Sequence, residues 1–99
     1  MEILIRDKKY KVKKDYGDTI NSSNLEEIVT EYYDNFDYIV GDWAYGKLRL
    51  KCFYDKTNKN VKNFNNIDNV NDYIENNCAY GCKHFILEKV KQNGIEKEN

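Results

Sequence analysis

Proline is absent from the 99 residues, and glycine, tryptophan and histidine are scarce: five, one and one. No apolar run approaches the roughly 18 residues that a membrane-spanning helix needs, so a span is not expected. The opening stretch MEILIRDKKY lacks the basic, then apolar, then small-residue order of a secretory leader, which makes the cytoplasm the expected location. Three cysteines is an odd number, which argues against a closed disulfide framework and fits a reducing compartment. No glycine-rich phosphate loop, no Ser-His-Asp set and no paired-carboxylate motif is present. Cysteine-based catalysis needs a base beside the thiol, and His84 is the only histidine. The expectation is a protein without a catalytic constellation and without a cofactor.

What the chain does have is aromatic and charged residues. Aromatics make up 14% of it, nine of them tyrosine, and they are the material of a core. Charged residues make up 33% and mean hydropathy is −0.89, values of a soluble chain. The excess of Asn, Lys, Ile and Tyr reads as genome composition bias. The length fits one domain, taken as residues 1–92, with a flexible tail over 93–99.

The formal charge of −1 conceals segments of opposite sign. Residues 1–14 hold six basic and two acidic groups, and residues 38–62 again six and two. Residues 15–37 hold seven acidic groups and no basic one, and residues 63–82 three and none.

EILI and YKVKK have the look of strands joined through Arg6, Asp7 and Lys8. In the second, Tyr10 and Val12 alternate with Lys9, Lys11 and Lys13, the period of a strand with one wet face. Leu25, Ile28, Val29, Tyr32, Tyr33 and Phe36 form one helical stripe, and Ser23 with Glu26 matches a capping box. YIV and KLRLKCFY follow as strands joined across GDWAYG, with Gly41 and Gly46 assigned to the turn. After a polar loop, with a short strand near Val61 in view, Asp68 or Asn69 caps a second helix. Val70, Tyr73, Ile74 and Cys78 share one of its faces, and Gly81 ends it. KHFILEKV is apolar on both faces, which predicts a central strand. The order β-β-α-β-β-α-β predicts an α+β fold, a mainly antiparallel sheet of about five strands with two helices packed on it.

Two places invite a functional reading. Cys78, Cys82 and His84 lie close enough in sequence to supply metal ligands, with Cys52 as a fourth. Zinc sites, however, usually show two separated ligand pairs, and small buried thiols account for the cluster equally well. A Cys78–Cys82 disulfide is awkward at helical spacing, which a turn at Gly81 would relieve. The second place is basic. Lys9, Lys11 and Lys13 on one strand and Lys47, Arg49 and Lys51 on another converge if the two strands share a sheet face, with the acidic helices behind. Trp43 and Tyr45 between two glycines would then stack on unpaired bases. The plain alternative is that lysines solubilise a wet face and Trp43 covers one end of the core. The expected partner is RNA, DNA or a nucleoprotein complex, or else a protein, with no membrane involved.

YIVGDWAYGKLRLKCF and, further on, DYIENNCAYGCKHFIL carry a family resemblance. In this order the two blocks resemble the YutD-like family of small bacterial proteins, over roughly residues 3 to 90. The resemblance implies a compact α+β domain and brings no established activity. It implies that Cys78 and Cys82 stand where relatives also have cysteine, that Cys52 stands where they often have glycine, and that His84 stands where an aromatic is commoner. Trp43, Tyr45 and Arg49 match the family pattern.

Overall fold

The alternating pattern of residues 8–16 becomes the longest strand among the described residues. The computed structural model describes residues 1–20, 24–44, 46–77 and 82–90. Five strands, β1 (Glu2–Ile5), β2 (Lys8–Tyr16), β3 (Tyr38–Ala44), β4 (Lys47–Phe53) and β5 (His84–Lys89), form one sheet in the order β1-β2-β5-β3-β4. Every pairing is antiparallel. Arg6 and Asp7 take φ of 52° and 66°, which closes β1 onto β2 in a two-residue turn of the right twist. As its doubly apolar run predicts, β5 is central, buried from His84 through Leu87.

Residues directly opposite one another share a face, so the register sorts the side chains. Tyr10, Ile39, Phe85 and Leu87 fall on one face and pack with Ile5, Leu25 and Val29. Leu25 belongs to a short helix, α1 (Leu25–Ile28), and Val29 to the bend after it. Val40, Phe53 and Ile86 fall on the other face, beneath Val70, Tyr73 and Ile74 of α2 (Val70–Asn77). The two helices thus cover opposite faces of the sheet.

Several local expectations change. The stripe from Leu25 to Phe36 is not one helix. At Val29 and Thr30 the backbone turns extended, with ψ of 109° and −178°, and the chain resumes as a 3-10 turn over Glu31–Asn35. Two successive β-branched residues favour that break. Asn24 occupies the N-cap of α1; Ser23, offered for that role, lies outside the described residues. Glu26, expected to complete the capping box, instead accepts from the Arg6 amide. Asp68 and Asn69, offered as the cap of the second helix, lie in a 3-10 turn over Ile67–Asn69 that leads directly into α2, and the Asn66 side chain caps that turn by accepting from the Asp68 amide. Val61 lies in no strand. Gly81 and the tail from 93 lie outside the described residues.

GDWA is strand, not loop. Gly46, with φ of +75°, is the turn glycine, whereas Gly41 sits within β3 opposite Phe85. A β-carbon built at Gly41 runs into the Phe85 ring. The position is glycine because an aromatic ring from the central strand lies across it.

Two outcomes follow for stability. Gly41→Ala overpacks this crossing and should cost about 1–3 kcal/mol, measured as a lower urea midpoint with an unchanged slope. Burial also raises several proton-releasing groups, the Cys52 thiol and the Tyr38 phenol furthest. The Cys52 thiol moves from 9.0 up to about 12, and Tyr38, also facing Glu88, from 10.0 up to about 12. The folded state then holds these protons while the unfolded chain releases them, so stability is full below pH 9 and falls as pH rises towards 12. Flat stability across that window, in denaturation at successive pH values, would contradict the burial of both groups.

Candidate functional site

Register answers whether the two basic rows meet. Lys9 and Lys11 lie opposite Leu4 and Glu2, and Lys47, Arg49 and Lys51 lie opposite Ala44, Asp42 and Val40. Both rows therefore point to the α2 face. Lys13 falls at the bulge between Val12 and Lys14, and its ammonium is 3.6 Å from Glu88. The rows share a face but do not form one patch. β5 and β3 separate β2 from β4, about 14 Å at ordinary strand spacing. Between them lies α2, which carries Asp72 and Glu75, so the acidic helix is beside the basic rows and not behind them. Lys9 pairs with Glu2 at 3.8 Å. Arg49 grips Asp42 through two bonds, Nε to Oδ1 at 3.1 Å and Nη2 to Oδ2 at 2.9 Å. Asp42 is 1% exposed, and a carboxylate so buried needs that partner. Burial, and after it the Asp42 charge, raise the Tyr73 phenol close by.

Trp43 stands on the opposite face, across from Leu48, because β3 continues through it. It is half-buried, and its Nε1 is buried with no partner among the described residues. It thus lies on the other face from the basic rows with which the sequence grouped it, although Lys47 borders the same hollow at the strand edge. Tyr45 and Cys78 lie outside the described residues. Cys82 is disulfide-bonded and sits in non-helical chain beyond α2, so helical spacing does not govern it. His84 is buried and stacked on Tyr16 at 5.3 Å, with Nδ1 3.0 Å from the Cys82 carbonyl oxygen. No group of three His, Cys, Asp or Glu side chains gathers as metal ligands among the described residues.

The feature that sequence reading passed over is the outer edge of β4. Two hollows, of about 520 and 610 Å³, adjoin along it and share Tyr33 and Leu50. The larger has an apolar wall of Ile28, Trp43, Leu48 and Leu50. The other joins Tyr32, Phe36, Tyr54 and Phe64 with Lys51, Lys59 and Lys62, and no carboxylate lines it. Phe36 stacks on Tyr54 at 4.8 Å, and Tyr32 sits 5.5 Å from Phe36. The Lys51 ammonium lies 5.4 Å from the Phe64 ring centre. The helix break at Val29 makes this wall, because it turns Tyr32 outward, where it is 64% exposed. Phe64 had one signal in the sequence, a lone aromatic in the polar stretch DKTNKNVKNFNN, and it is 67% exposed.

The floor of this groove is backbone. The Trp43 amide donates to the Lys83 carbonyl, towards β5, so alternate residues of β3 point their amides to β4. Lys47, Arg49, Lys51 and Phe53 answer them, and the amides of Leu48, Leu50, Cys52 and Tyr54 face outward. Tyr54 is satisfied from within the chain: its amide donates to Asn65 at 2.7 Å, and the Ile67 amide donates to its carbonyl at 2.9 Å. For Leu48, Leu50 and Cys52 no described residue fills that place.

Comparison with known proteins places this geometry. Residues 4–88 match the family described as "Putative antitoxin YutD-like". The Bacillus subtilis (strain 168) protein described as "Putative antitoxin YutD" is 32% identical over 90 residues, 91% of this chain and 99% of that protein. The solution NMR structure of protein yutD from B. subtilis matches with a TM-score of 0.74 at 32% identity, covering 92% of this chain and 83% of that one. On match length, identity and fold alike, the chain belongs to the YutD-like family.

Proposed function

We propose that this protein acts by binding, and that its partner is another protein held along the β4 groove. The observation that carries this reading is the groove itself: an apolar half and a basic-aromatic half on the open edge of a strand. Exposed aromatics ringed by polar groups are the residues that anchor protein interfaces. The word antitoxin in the descriptions of the relatives fits a protein that works by engaging a partner.

A second reading, contact with RNA or DNA, is favoured by one observation, the common face of Lys9, Lys11 and Lys13 with Lys47, Arg49 and Lys51. It is the weaker of the two. Three of these six side chains are tied to Glu2, Glu88 and Asp42, and α2 interrupts the track that a phosphate backbone would follow.

A photoreactive side chain placed at Phe64, and separately at Leu4 on the far edge of the sheet, distinguishes these readings in cells that make the protein. Phe64 should give a protein adduct that resists nuclease, and the adduct should disappear when Lys59→Glu and Lys62→Glu are added. A nuclease-sensitive adduct moves the assignment to the second reading. Equal labelling from Leu4 removes the groove from both.

A further inference from the structure

Resting on the protein-binding reading, we propose that the partner enters as a β-strand. An extended segment, alternating apolar and acidic residues, adds to the outer edge of β4 and bonds the backbone of Leu48, Leu50 and Cys52.

Three observations carry this. First, the chain already uses the edge in this way: Asn65 and Ile67 bracket Tyr54 with two backbone hydrogen bonds, a parallel bridge between Tyr54 and Asn66. The three outward positions before it repeat the same geometry without a described occupant. Second, the two sides of the edge differ in chemistry. On the α1 side an added strand meets Trp43, Tyr33 and Leu50; on the α2 side it meets Lys47 and Lys51, for which no carboxylate is within ion-pair distance among the described residues. Side chains of a strand alternate between its faces, so the incoming segment must be apolar and acidic at period two. Third, the charge of β4 excludes a second copy as occupant. Edge-to-edge pairing would set Lys47, Arg49 and Lys51 against the same three residues, the usual protection of an exposed edge from its own kind.

Pattern, and not composition, is therefore the test. Two capped peptides as long as β4 are compared, one alternating valine and glutamate, the other with the same residues in two blocks. The alternating peptide should bind at least about tenfold more tightly, a difference of roughly 1.4 kcal/mol, and slow hydrogen exchange at the Leu48, Leu50 and Cys52 amides. Lys47→Glu with Lys51→Glu should transfer the preference to an alternating valine–lysine peptide, a result that a misfolded variant cannot give. Equal binding of the two isomers, no binding, or binding with unchanged exchange at the three amides overturns strand addition, while the crosslink from Phe64 reports separately on the protein-binding reading. Slowed exchange at those amides with a short oligothymidylate, and none with the peptide, overturns it in favour of nucleic acid.

Discussion

The sheet depends on one insertion. β1 with β2 and β3 with β4 are hairpins that close locally, but neither pair touches the other until β5 enters between β2 and β3. Among the described residues β5 is the last strand in sequence and the most buried, contributing Phe85 and Leu87 to the core under α1 and Ile86 to the core under α2. Neither core is complete without it. The glycine at 41 follows from this arrangement, since the Phe85 ring needs the space that any side chain on β3 would fill. A structure that hinges on its final strand combines quick local pairing with a slow long-range one.

The same insertion decides what the surface offers. By separating β2 from β4 it splits the lysines into two groups, and α2, docked over Ile86, Val40 and Phe53, occupies the space between. It also makes β4 an edge. The aromatic residues of the 3-10 turn and the returning chain near Phe64 rise on either side of that edge, leaving a floor of backbone. Arg49 holds the buried Asp42 carboxylate beside it and so stiffens the strand without being part of the groove floor.

Much of this was legible from residues alone. The strand order along the chain, the central place of KHFILEKV and the wet and dry faces of KLRLKCFY all follow from side-chain periodicity, which the sheet obeys. Which strands are neighbours is a different kind of information. No periodicity says that β5 lies between β2 and β3, and without that the two basic rows read as one patch. GDWA was misplaced because glycine and aspartate favour turns; the strand persists there because Gly41 accommodates a ring and Asp42 finds Arg49. The helix break at Val29 and Thr30 escaped because Leu25 to Phe36 keep helical spacing across it. Tyr32 was consequently counted with the core when it faces solvent.

The bridge at Tyr54 also fixes a length. Because Asn65–Ile67 already stand against Tyr54, just past the end of β4, that end of the edge is shut, while the other ends at the Gly46 turn. Three rungs lie between the two stops. The protein thereby carries a ruler: a longer stretch of extended chain finds no further rung to bond, and a shifted one loses a rung at one end without gaining another.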